Sequence, residues 1–198
     1  MTIDNRAFVS DILLPYYLSQ REIFESNLQR AADAFDEEAI HDLRVALKKI
    51  RALFKILEFL DPQLFNGKSA FIYLRKIFKE AGILRDLQVQ KGLFQNSDDP
   101  DELRFVIFLS NLEYEARIKF REFINRLNLQ DLEQTDELIK TTLENMNQTH
   151  INAGITNFIM EKLQKVLSLM NQKNDTMHES RINLKDAYYI LDLLKENQ

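Results

Sequence analysis

Cysteine is absent from the sequence, which excludes a disulfide framework, thiolate metal ligands and cysteine nucleophiles, and fits a reducing compartment. Glycine and proline are nearly as scarce, at 4 and 3 of 198 residues. So few breakers favour long uninterrupted helices over sheet. The longest apolar run, Phe105 to Leu109, is far short of the roughly 20 residues a membrane-spanning helix needs. The first residues, Met1 to Arg6, lack the charged, apolar and cleavage regions of a signal peptide, so the cytoplasm is the expected compartment. There is no glycine-rich phosphate loop, and no Ser-His-Asp arrangement can be read from spacing. Histidine occurs three times, at 41, 150 and 178. His41-Asp42 imitates a phosphohydrolase metal pair, but cations on the same helical face would repel a divalent ion. No catalytic residue, metal or cofactor is expected.

What the chain does contain is ordinary globular material, 45% hydrophobic and 29% charged. Its net charge of -5 is unevenly spread. Residues 41 to 91 hold eleven Lys or Arg against five acids, a balance of +6, which leaves -11 for the remainder. An acidic remainder of that size disfavours indiscriminate adhesion to nucleic acid or anionic lipid. Within the basic block, His41-Asp42-Leu43-Arg44-Val45-Ala46-Leu47-Lys48-Lys49-Ile50-Arg51-Ala52-Leu53-Phe54-Lys55 reads as an amphipathic helix. At 100° per residue His41, Arg44, Lys48, Arg51 and Lys55 share one narrow stripe. Leu43, Ala46, Ile50, Leu53, Phe54 and Leu57 gather opposite. A solvated helix face usually mixes signs so that i,i+4 pairs support each other, and this one does not. Cations one turn apart repel unless an anion lies over them, so a polyanion site and a solvated face both fit the spacing.

The frame recurs downstream as His178-Glu179-Ser180-Arg181-Ile182-Asn183-Leu184-Lys185-Asp186-Ala187-Tyr188-Tyr189, with Leu184 and Leu191 at the apolar positions of Leu47 and Phe54. A duplicated helical unit is expected. The paired His-x-x-Arg-x-x-x-Lys helices, together with the Arg85-Asp86 pair that follows Leu74-Arg75-Lys76-Ile77-Phe78-Lys79, resemble the signature of the CHAD family, the conserved histidine α-helical domain. The resemblance covers roughly residues 10 to 195. It implies an all-α fold of two pseudo-symmetric helical sub-bundles whose basic residues bind inorganic polyphosphate. It also implies association with polyphosphate granules, often beside a triphosphatase domain. The residues it marks as phosphate contacts are Arg44, Lys48, Arg51 and Arg85, supported by His41, Lys55, Arg75 and Lys79, with His178, Arg181 and Lys185 from the repeat. Asp186 and Tyr188 stand where the family has cations. The family pattern also continues through further helices, so the second sub-bundle is expected in abbreviated form.

In chain order, about seven helices are expected in one domain over residues 1–198. The first half, about 16–127, holds helices over 16–34, 37–60 (the signature helix), 70–95 and 100–127. Asp36-Glu37-Glu38 begins the signature helix, Ser69 caps the third with Gly82 as a kink, and Asp99-Pro100 opens the fourth. The second half, about 131–198, holds helices over 131–147, 155–172 and 176–195, with a break over 148–154 and His150 near a loop. Phe158, Leu163, Val166 and Leu169 are core candidates, as are Phe54, Phe59, Phe71, Phe78, Phe105, Phe108, Phe120 and Phe123. Glu113-Tyr114-Glu115-Ala116-Arg117 imitates the Glu-x-Glu-x-Lys element of triphosphate tunnel enzymes, but it lies in a helical pattern, where alternate residues do not share a face. The expected function is non-catalytic polyphosphate binding. The rivals are a helical adaptor that binds a protein partner or homodimerises, since an uncovered apolar face is an association surface, and a nucleic-acid binder, which the acidic balance counts against.

Overall fold

A computed structural model describes residues 12–128, 130–146, 151–172 and 176–195. Eight helices and no strand occur among the described residues. They are α1 (Leu14–Asp33), α2 (Glu37–Leu60), α3 (Gly67–Ala70), α4 (Ile72–Phe94), α5 (Pro100–Asn125), α6 (Gln130–Asn145), α7 (Ile151–Met170) and α8 (Met177–Lys195). The fold is all-α, and no described helix is long and apolar enough to cross a membrane.

Local chemistry accounts for most boundaries. Pro15 sits in the first turn of α1, where its missing N–H breaks no intrahelical bond. Asp36 Oδ1 accepts from the Glu38 and Ala39 amides at 2.9 and 3.0 Å, capping α2. Those amide bonds, first that of Ala39, and the Arg30 partner hold the Asp36 carboxyl below its ordinary value. Asp99 caps α5 with Pro100 in its first turn. The eighth helix, α3, is a single turn capped by Asn66, whose side chain accepts from the Ser69 amide at 2.8 Å. Ser69 therefore lies inside a turn rather than capping α4. Gly67 is needed there, because a Cβ would lie 2.7 Å from the Phe54 carbonyl oxygen.

Two other glycines read from sequence as interruptions are close-packing positions. Gly154 lies within α7, where a Cβ would run into the Leu60 side chain. Helix α7 accordingly begins at Ile151, a buried residue, rather than at 155. The preceding residues 147–150, His150 among them, lie outside the described residues. Gly82 is internal to an uninterrupted α4 and is discussed below.

The contacts divide the chain into two compact units. The first takes the described residues of Met1–Ser19, Lys49–Phe71 and Gln134–Gln198, and the second takes Gln20–Lys48 and Ile72–Glu133. In the first unit Phe54 is the hub of an aromatic core, with ring centroids 5.4 Å from Phe65, 6.1 Å from Phe71 and 6.1 Å from Tyr17. Burying one such ring stabilises by roughly 1.5–3 kcal/mol. The Tyr17 hydroxyl donates to Asp136, and α7 packs along α8 with Ile155, Phe158, Ile190 and Leu193 buried. In the second unit Phe24, Ile40, Leu43, Leu47, Leu74, Ile77, Leu84 and Phe120 are buried, and α4 packs along α5.

The apolar face expected of α2 is buried throughout. The repeat helix departs from it. Leu184 and Leu191 are exposed, unlike Leu47 and Phe54, and α8 instead buries Ser180, Asp186, Ala187, Ile190 and Leu193. Leu163, Phe59, Phe105 and Phe108 are exposed as well. Phe105 still pairs edge-on with Phe94 at 5.4 Å. Phe59 likewise pairs edge-on with Phe158 at 5.4 Å, so these residues hold helical spacing with their faces only partly covered.

Candidate functional site

In the second unit the signature begins with His41, exposed on the first turns of α2, followed by Arg44 and Lys48, both half-buried. Arg44 is fixed against α4. Its Nη1 donates to the Phe78 carbonyl at 2.9 Å, its guanidinium lies 4.5 Å over the Phe78 ring, and a Cβ on residue 82 would overlap Nη1. Gly82 is thus a cradle rather than a kink: only a hydrogen at that position leaves room for the guanidinium. Burial pulls Arg44 below the usual arginine range, with Asp86 opposing and Arg85 assisting that shift. It remains a cation at neutral pH.

Helical spacing puts Arg75, Lys79, Gly82 and Asp86 along one stripe of α4. Arg75 and Lys79 are exposed on the side where Arg44 docks, and neither makes an ion pair or hydrogen bond among the described residues. Arg85 is the cation whose charge Arg44 feels, and its Nη1 also lies 3.4 Å from Glu37 at the start of α2. The structure therefore docks Arg44 on α4 at Phe78 and Gly82, the helix that carries Arg75 and Lys79, with Arg85 shared between Arg44's surroundings and a carboxylate. The i, i+4, i+7 spacing of Arg75, Lys79 and Gly82 was the available signal for the cradle.

The α1–α2 corner is held by another cluster in this unit. Phe35 is a non-glycine residue at φ 54°, a conformation that costs about 1–3 kcal/mol unless its surroundings fix it. Gln88 donates to its carbonyl at 3.3 Å, and Arg117 and Arg121 lie 5.3 and 4.5 Å over its ring. Arg121 also donates to the Ala32 and Asp33 carbonyls at the end of α1. Glu113, buried at 2% exposure, accepts from both Lys91 and Arg117. Burial alone would push its carboxyl up, but those two cations more than offset this and leave it below its ordinary value. The Glu113-x-Glu115-x-Arg117 string thus lies on helix α5, where its first carboxylate is a structural ion pair.

In the first unit one signature cation, Lys55, and its off-stripe neighbour Lys49 meet acids. Lys55 Nζ lies 2.5 Å from Asp186 Oδ2, and Lys49 Nζ lies 2.9 Å from Asp192. The acid standing in a family cation position thus neutralises Lys55. Arg51 lies near Tyr189, whose phenol is pushed up by burial while Arg51 and Lys49 pull it the other way. The repeat cations His178, Arg181 and Lys185 line a groove floored by Val166, Met170 and Leu184. None of the three makes a hydrogen bond or ion pair among the described residues. Tyr188 lines the same groove, while Tyr189 is half-buried.

Residues 17–197 match the family model described as the CHAD domain. The chain belongs to the CHAD family. A search of the curated proteins returns no significant match. Both His-x-x-Arg-x-x-x-Lys stretches, on α2 and α8, lie within the matched span, and membership is consistent with polyphosphate binding in general.

Proposed function

We propose that this CHAD protein binds inorganic polyphosphate without catalysis, through cations displayed on its signature helices and on α4. The observation that carries the reading is the one-signed stripe of α2, where His41, Arg44, Lys48, Arg51 and Lys55 recur over about 21 Å of helix at 1.5 Å per residue. In the second unit Arg44 supplies a guanidinium already held in place, with His41 and Lys48 on its own helix and Arg75 and Lys79 on α4, the helix it docks against. Arg75 and Lys79 have no acid partner to displace. In the first unit Arg51 and the unpaired trio His178, Arg181 and Lys185 are the contributors. Lys55 must leave Asp186 before it can take part.

Binding of this kind is driven by displacement of counterions from the polyanion and is strongly salt dependent. On the scale set by nucleic acids, six to ten phosphate contacts lose about 10³- to 10⁵-fold in affinity between 50 and 200 mM salt. Titration with long-chain polyphosphate at those two salt concentrations is expected to show a loss of about tenfold or more. RNA of equal total charge is expected to compete poorly. Absence of binding at low salt, or displacement by RNA at matched charge, would overturn the reading.

The Lys55–Asp186 pair makes a second test. Asp186→Asn keeps the side-chain shape and removes the charge that holds Lys55, which is one-third exposed and free to swing out. Polyphosphate affinity is expected to rise by about threefold, on the order of one weak charge contact. An unchanged affinity would place Lys55 outside the binding surface.

A further inference from the structure

Two grooves lie off the α2 stripe, one of them lined by the repeat residues His178, Arg181 and Lys185 already proposed to meet polyphosphate, and their chemistries are opposite. The groove along α7 and α8 is apolar and cationic. Met170, Met177, Leu184 and Tyr188 are 72, 79, 48 and 60% exposed, and the basic groups among them are His178, Arg181 and Lys185, with no carboxylate in the lining among the described residues. The groove along α4 and α5 is apolar and acidic. Ile83, Leu87 and Leu112 form its apolar wall, and Glu80, Asp86 and Glu115 outnumber its one cation, Lys119. Contiguous exposed apolar side chains rimmed by charge mark association surfaces, and exposed methionines suit an adaptable contact.

We propose that the occupant of each groove is a second copy of this chain, with the cationic α7/α8 groove of one protomer seated on the acidic α4/α5 groove of the next. The charges decide the occupant. Arg181 and Lys185 supply two fixed positive charges, and the acidic groove carries a net charge of -2 from its three carboxylates and Lys119. Complementary potentials of this kind select partner and register, while the apolar walls supply the buried area. Two like grooves would instead bring cations against cations or acids against acids. Because different surfaces meet, the contact is heterologous. The inference does not depend on polyphosphate binding, and its test contains no polyphosphate.

The test is sedimentation of the full chain over a concentration series, using two charge-reversed variants, Arg181→Glu/Lys185→Glu and Glu80→Lys/Glu115→Lys. Arg181 and Glu115 are exposed and Lys185 and Glu80 half-buried, and none is fully buried, so far-UV circular dichroism of both variants is expected to match the wild type. The wild type is expected to associate with rising concentration, and each variant alone to associate about tenfold more weakly or worse. Mixed in equal amounts, the variants are expected to recover association, because each retains the native form of the groove that the other has reversed. A wild type that stays monomeric throughout would overturn the proposal. So would a mixture that associates no better than either variant alone.

Discussion

Glu113→Ala is expected to destabilise the protein by about 2–3 kcal/mol at neutral pH. Breaking a buried ion pair by removing one partner commonly costs about 3–5 kcal/mol, because the remaining charge is stranded. Here the stranded groups are Lys91 and Arg117, 24 and 34% exposed, which can recover part of their hydration and so reduce the loss. The damage extends beyond the pair. Arg117 loses the carboxylate that aims it at the Phe35 ring, and with it part of the clamp on the left-handed turn that sets where α2 begins. At about 2–4 °C per kcal/mol for a chain of this size, the melting temperature is expected to fall by roughly 4–12 °C. Because the folded carboxyl titrates below its ordinary value of 4.5, its contribution is complete above that pH and is lost as pH falls through the folded value. The gap between wild type and variant is therefore expected to be full at pH 7 and to close below pH 4.5. Thermal melts across that range check both statements, and a variant as stable as wild type at pH 7 would refute the assignment.

What could be read from the sequence was what one helix carries by itself. The two faces of α2 are legible because both lie within a single 3.6-residue period, and its start because Asp36 caps its own neighbours. Asp99-Pro100 is legible for the same reason. What could not be read was set by contacts distant in sequence. Gly82 and Gly154 look like breaks until the groups packed on them, Arg44 and Leu60, are known. The pairing of Lys55 with Asp186 joins residues 131 positions apart, so the stripe seems wholly available in sequence while one of its members is neutralised in the fold. Spacing placed Leu184, Leu191 and Phe108 on apolar stripes, but spacing does not say whether another helix covers the stripe.

That distinction separates carrying charge from presenting it. Residues 41–91 are basic as composition, but Lys49 is directed to Asp192, Lys55 to Asp186, Arg85 to Glu37 and Lys91 to Glu113, so at least four of the eleven cations are paired within the fold and serve it. Arg44 serves both. Its Nη1 is committed to the Phe78 carbonyl and its plane to the Phe78 ring, which fixes where the rest of the fork points. A guanidinium held in this way loses little rotamer freedom when it meets a phosphate, an advantage over a lysine in the same position.

Arg44→Glu/Lys48→Glu is accordingly expected to weaken polyphosphate binding by about a hundredfold. Two charge-assisted hydrogen bonds at about 1.5 kcal/mol each amount to about 3 kcal/mol, which is that factor in affinity. A fall of less than threefold at low salt would show that the stripe is a solvated face. Gly82→Ala asks the finer question of whether the cradle matters. Its Cβ would displace the Arg44 guanidinium, losing one hydrogen bond and one cation–π contact of about 1 kcal/mol each, while alanine gains about 1 kcal/mol over glycine inside a helix. Stability is therefore expected to stay within about 1 kcal/mol of wild type, and polyphosphate affinity to fall about tenfold. A merely structural glycine would give the same fall whatever residue 44 is. In an Arg44→Ala background the effect of Gly82→Ala is expected to vanish, because the group it displaces is gone. If the loss persists in that background, Gly82 acts on binding by a route other than the placement of Arg44.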